Sequence, residues 1–133
     1  MSMTEDCKVM SWDDVIEMHE NGIEIGSHTL THPILSMQDD ADIKKEVEQS
    51  KKIIEKKISD VVVSFAYPVG GCGAYNDEVI NKLEQAGYQY AVVYHHGTNC
   101  INDERYTLQR IPIERYTTIP MFYANLSIPE IFK

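Results

Sequence analysis

The sequence predicts an α/β fold, a largely parallel sheet with flanking helices, and three observations predict it. Segments of helical period alternate with short apolar or β-branched runs along the chain. Gly, Pro, Asn and Asp punctuate the junctions, where the chain must reverse. At 133 residues the chain is long enough for one core, and it shows no linker, repeat or low-complexity stretch. Residues 1–133 therefore read as a single domain, with strands packed under helices.

The first element is a helix from Trp12 to Asn21, capped by Ser11, with Asp13, Asp14 and Glu17 near its positive end. Trp12, Val15, Ile16 and His19 fall on one face, and Gly22 is the stop. Ile23 and Ile25 alternate with Glu24 and Gly26, a short strand that delivers the chain into Ser-His-Thr-Leu-Thr-His-Pro, residues 27–33. Asp40 to Lys57 is the clearest helix, with Ile43, Val47, Ser50, Ile54 and Ile58 as its inner stripe. Its lysines and glutamates read as a solvated face.

Val61 to Phe65 is β-branched and apolar, a buried strand that ends in the loop Ala-Tyr-Pro-Val-Gly-Gly-Cys-Gly, residues 66–73. Asn76 then caps a helix that opens on Asp77 and Glu78 and stops at Gly87. Strands are expected over Tyr88 to Tyr94 and over Thr107 to Ile113, the latter interrupted by Pro112. A short helix is expected near Pro120 to Asn125. At most four strands are visible and the chain opens on a helix, so further strands upstream of residue 1 are expected.

The hydrophobic fraction of 43% and charged fraction of 25% are those of a soluble globular protein. A net charge of -9, spread along the chain, argues against nucleic acid or an anionic membrane as partner, since both need a basic face. No apolar run has the length of a membrane helix. No secretory signal is visible at the start, which makes a cytoplasmic location the default expectation. Cys7, Cys72 and Cys100 are odd in number and lack zinc-finger spacing, so free thiols are expected rather than a disulfide framework.

His28 and His32 are the chemical feature of the chain. Imidazole is the commonest zinc ligand, and two of them at i and i+4 can meet one ion if the turn between them is helix-like. Thr29 and Thr31 can fold such a turn through local backbone bonds, and Pro33 places it in a loop at a strand end. The metalloprotease pattern His-Glu-x-x-His is absent, because Thr29 stands where the glutamate would be. By spacing alone, a ligand pair and two histidines in a turn are equally good readings.

Longer motifs bear on that choice. Gly-Ser-His-Thr-Leu-Thr-His-Pro, residues 26–33, resembles the second motif of the polysaccharide deacetylase (NodB-homology) family. Ser-Phe-Ala-Tyr-Pro-Val-Gly-Gly, residues 64–71, resembles the third. The helix and strand from Tyr75 to Val93 and Leu-Gln-Arg-Ile-Pro-Ile, residues 108–113, are similar to segments that follow in the same order. The resemblance runs from about Ser11 to Tyr116.

It implies a partial (β/α) barrel and a metal-dependent hydrolase that removes acetyl groups from N-acetylated carbohydrate. By the same resemblance, His28 and His32 would be ligands of one divalent ion, most commonly Zn2+, with Ser27 and Thr31 bracing the loop. Tyr67 would offer its backbone N–H to the oxyanion, and Pro68 would shape a substrate groove. The family's first motif, Thr-Phe-Asp-Asp, which supplies the base and the third ligand, has no counterpart here. Asp13-Asp14 and Asp39-Asp40 open helices instead. Ala66 stands where many members carry an arginine, and no histidine follows His96.

The chain therefore resembles a deacetylase domain without its N-terminal third, with weakly held zinc and little or no turnover. A non-catalytic carbohydrate-binding or interaction domain is the alternative. His95 and His96 read as a surface pair at a strand end or as a source of the acid. Cys7 and Cys72 read as ordinary thiols or as extra ligands. Residues 70–73 read as a tight turn or as an anion cradle. Self-association into a homo-oligomer is expected from strand edges left open.

Overall fold

Ser11 closes a capping box on the first helix, α1 (Trp12–Glu20): its hydroxyl accepts from the Asp14 amide while Asp14 Oδ2 accepts from the Ser11 amide at 2.7 Å. The computed structural model describes residues 9–127. Three more helices follow, α2 (Asp40–Ile58), α3 (Asp77–Gln85) and α4 (Ile119–Ser127), with a 3-10 turn over Leu35–Met37. Three strands, β1 (Ser64–Ala66), β2 (Tyr90–His96) and β3 (Leu108–Arg110), form one parallel sheet in that order. The expected α/β class is therefore the one the chain adopts.

The strands are shorter or later than their apolar runs, because side chains and helix ends take some of their backbone groups. Val62 donates to Glu55 Oε1 at 3.1 Å and its carbonyl accepts from Lys51, so α2 holds the valine run and β1 starts only at Ser64. The Tyr88 amide is used by Leu83 O at the end of α3, so β2 starts at Tyr90 rather than Tyr88. The strand expected at Ile23 and Ile25 contracts to one parallel bridge, Ser27 opposite Phe65. Ile23 is still bonded to Met18 O as α1 ends, and pairing begins at Ser27, which donates to Ser64 O at 3.0 Å.

The sheet has two unlike faces, as the period of two requires. Phe65, Ala91 and Val93 turn toward the helices and pack with Ile43, Val47, Val79 and Leu83 in one core cluster. Ser64, Ala66, Tyr90 and Val92 face the other way and are only half-buried. α1 buries no residue completely; it is held by Val15 against the core, by His19 Nε2 on Asp60 Oδ2 at 3.2 Å, and by Lys57 over the Trp12 ring.

The charged face expected for α2 has one exception. Glu46 is only 7% exposed, on the inner stripe between Ile43 and Ser50. The aspartate pairs behave as helix-end carboxylates: Asp14 serves the α1 cap, Asp39 caps α2 through the Asp42 amide, and Asp40 pairs with Lys82. Among the described residues no helix is long and apolar enough to cross a membrane.

Candidate functional site

The loop after the Ser27 bridge is anchored at both ends before any histidine is considered. Ser27 is 1% exposed, its backbone is in the ladder with β1, and its hydroxyl donates to Ser50 Oγ at 2.8 Å. Downstream, Leu35 is fully buried, and Ser36 bonds the carbonyls of Gly73 and Ala74 in the glycine-rich loop. Between these anchors the chain bends sharply. Thr29 and His32 have φ of 67° and 63°, the left-handed region that non-glycine residues adopt at a cost of about 1–3 kcal/mol each.

Glu46 holds that bend. Its Oε2 accepts from the Leu30 and Thr31 amides at 2.7 and 2.8 Å, and its Oε1 accepts from the Thr31 hydroxyl at 2.7 Å. Burial raises the Glu46 carboxyl, but the bonds from Thr31 and Leu30 outweigh it and hold the group below the ordinary glutamate value. Thr29 Oγ1 accepts from the His32 amide at 3.0 Å and closes the far side of the turn. The turn between the histidines is thus not helical, contrary to the geometry expected for an i, i+4 pair. Pro33 explains part of this, since it disfavours helical backbone at His32.

The bend brings the two imidazoles together, with ring centroids 4.9 Å apart and planes at 73°. His28 Nδ1 lies 2.7 Å from Ala66 O. A carbonyl can only accept, so in that contact Nδ1 carries the proton, which in a neutral ring leaves the lone pair on Nε2. This is the arrangement in which a backbone carbonyl orients a metal-binding histidine. A depression of about 310 Å³ lies beside His28, with Gly26, Ser64, Ala66, Tyr90 and Val92 in its lining. Tyr90 donates its phenol to Glu24 at the rim; with Ser64, this bond holds the Glu24 carboxyl below its ordinary value.

Tyr67 and Pro68 lie differently from the arrangement expected of them. The Ala66–Tyr67 peptide is trans, as are all the described peptides, so its C=O and N–H point to opposite sides. The carbonyl is engaged by His28, and the Tyr67 N–H points away to Val92 O at 3.3 Å. In this arrangement the Tyr67 amide does not face the histidines as an oxyanion donor. The Tyr67 side chain is equally committed, with its hydroxyl on Tyr106 O and its ring stacked on Tyr75. Pro68, expected to line a substrate groove, is fully buried and offers a ligand no surface.

The loop that holds Pro68 is tight. Gly70 donates to Pro68 O at 2.6 Å across Val69, whose φ is 63°, and Gly70 O accepts from Tyr94 at 2.8 Å. The glycine-rich run is therefore a turn packed on β2, the plainer of its two readings. His95 is exposed and His96 half-buried at the end of β2. Cys72 and Cys100 are free and exposed, and Cys7 lies outside the described residues. Among the described residues no group of three His, Cys, Asp or Glu side chains comes together to hold a metal ion. The two imidazoles stand side by side, and among the described residues no third such group joins them.

Glu46 is the site residue that the sequence reading missed. It belongs to a helix rich in exposed glutamates, and composition hides it among them. Its spacing was the available signal: three residues after Ile43 and four before Ser50, it falls on the buried stripe.

Comparison with known proteins agrees with the motifs. The family model described as polysaccharide deacetylase matches residues 2–91, more than half of the chain. YxkH of Bacillus subtilis (strain 168), named as a polysaccharide deacetylase, is 31% identical over 97 residues, which cover 73% of this chain and 34% of that protein. The crystal structure of BC0361, a polysaccharide deacetylase from Bacillus cereus, superposes with a TM-score of 0.76 at 28% identity, over 89% of this chain and 37% of that one. The Streptococcus pyogenes deacetylase PplD in complex with acetate superposes at 0.78 and 23% identity, over 86% of this chain and 49% of that one, which is likeness of fold. The chain spans about a third to a half of the length of these relatives.

Proposed function

The chain belongs to the polysaccharide deacetylase family, and on that premise we propose that it binds N-acetylated carbohydrate beside His28 and His32, which hold one divalent ion. The observation that carries the proposal is the paired imidazoles, 4.9 Å apart, with His28 Nδ1 on Ala66 O and Nε2 left as the lone-pair donor. Zinc is the ion that such nitrogen ligands favour. When bound, it would polarise the acetamide carbonyl and lower the pKa of a coordinated water. The chain's own part is to hold and orient: Ala66 O fixes the His28 tautomer, Ser27 clamps the loop start, and Glu46 keeps His32 beside His28.

Hydrolysis by this chain would be slow or absent. Two imidazoles without a nearby carboxylate leave most of the coordination to water, and among the described residues no third group joins them. The carboxylate nearest in the loop's bonding, Glu46, is committed to the Leu30 and Thr31 amides and the Thr31 hydroxyl rather than to a water. The test is zinc titration by calorimetry together with acetate release from chitooligosaccharides. Weak zinc binding that disappears in His28→Ala and His32→Ala, with little acetate, is the expected result. Rapid turnover at stoichiometric zinc would sink the low-activity reading, and zinc binding unchanged by both substitutions would sink the metal site.

The missing third group also favours a second reading, a non-catalytic carbohydrate-binding or interaction domain derived from a deacetylase. Chitooligosaccharide binding that is equally tight with zinc and with chelator would select it.

A further inference from the structure

A second concavity, of about 320 Å³, lies at the C-terminal ends of β2 and β3, with Tyr94, His96, Arg110, Ile111 and Glu114 in its lining. Parallel sheets place their ligand sites at this end of the strands. His96 and Arg110 are register partners across β2 and β3. Arg110 is fixed at two points: its Nε donates to Val93 O at 3.0 Å, and its guanidinium lies 5.8 Å from the Tyr94 ring centroid. No carboxylate forms an ion pair with it among the described residues. His96 contributes its ring to the lining, while its Nε2 is sealed from solvent and has no hydrogen-bond partner among the described residues.

A guanidinium with its terminal nitrogens unpaired among the described residues matches a carboxylate as a planar fork. The chain as a whole carries -9, so its general field repels anions and any anion held here is held by local groups. Glu114 accepts from the Tyr94 hydroxyl at 2.9 Å, and its carboxylate suits sugar hydroxyls while disfavouring a more highly charged phosphate.

We propose that this cavity is a subsite for a carboxylate-bearing sugar, with Arg110 receiving the carboxylate and Glu114 a ring hydroxyl. The proposal rests on the carbohydrate reading of the histidine site. Ala66, beside His28, is level with Val92, whereas His96 lies four residues further along β2. At a rise of about 3.3 Å per residue, plus the strand spacing, the two places are on the order of 15 Å apart. One monosaccharide cannot touch both, so a ligand that uses both is an oligomer carrying acetamido and acidic sugars.

The test is an NMR titration of the whole isotope-labelled chain with glucuronate, glucose and acetate, following the Arg110 Nε–H and the Ile111 and Ile113 amides. Glucuronate should shift them in the millimolar range, with glucose and acetate at least about tenfold weaker. Arg110→Lys, which keeps the charge and loses the fork, should weaken glucuronate about tenfold in a chain whose spectrum is otherwise native. Equal binding of acetate and glucuronate would overturn the sugar assignment, and absent or Arg110-independent shifts would overturn the subsite. The double variant His28→Ala, His32→Ala should lose zinc and keep the glucuronate shifts. That arm separates failure of this subsite from failure of the metal reading.

Discussion

Glu46 shows how one side chain can hold a site together without touching a ligand. Its three accepted bonds hold a loop that contains two left-handed residues, and no other carboxylate reaches those donors among the described residues. Glu46→Gln turns one accepting oxygen into a donor facing donors, so it should cost on the order of 2 kcal/mol. Urea denaturation checks this; a loss below about 0.5 kcal/mol, the ordinary surface range, would contradict the brace. A pH dependence follows with a definite sign. Because the folded value is depressed, the brace contributes fully above the ordinary value of about 4.3 and is lost as pH falls through the lower folded value. The stability gap between the native chain and Glu46→Gln should therefore close in acid and stay constant near neutrality.

Between elements, the decisive contacts are close approaches of backbone to backbone. Gly70 has φ of 62°, and a Cβ there would stand 2.7 Å from the Tyr94 amide nitrogen. Gly70→Ala should destabilise the chain by about 1–3 kcal/mol, because neither the φ nor β2 can yield cheaply. Gly26 makes a matched control. A Cβ there would meet Ser64 Oγ at 2.7 Å, a hydroxyl that can rotate away, and the backbone only at 3.3 Å. Gly26→Ala should cost less than Gly70→Ala in thermal unfolding, and the reverse order would refute this account of the loop packing. Lys51 and Glu55 of α2 teach the complementary lesson: side chains that bond Val62 shorten a strand that its β-branched residues alone would extend.

At the scale of the whole molecule, among the described residues one sheet face is covered by helices and the other is not. Ser64, Ala66, Tyr90 and Val92 lie half-buried on the open face, and Tyr94 is 55% exposed. Parallel sheets are ordinarily covered on both faces, and we propose that in this chain by itself a second copy supplies the cover. Sedimentation should show self-association that weakens in Val92→Lys, whose charge would sit on the open face. A strictly monomeric chain at high concentration would rule this out.

The sequence by itself determined what depends on neighbours along the chain. Ser11 and Asn76 bond amides three residues away and the second helix has an apolar stripe of helical period, so the helices over Trp12–Glu20, Asp40–Ile58 and Asp77–Gln85 were legible from local pattern. The motif around His28 and His32 was legible too, because its residues are contiguous. Tertiary structure decided whatever depends on partners distant in sequence. It cut the Ile23–Gly26 run to a single bridge, turned the Tyr67 amide toward Val92, and buried Pro68. It also drew Glu46 out of a charged helix to hold a loop fifteen and sixteen residues upstream. A buried carboxylate with three donors is stable only where the fold brings those donors together, and no local pattern encodes that meeting.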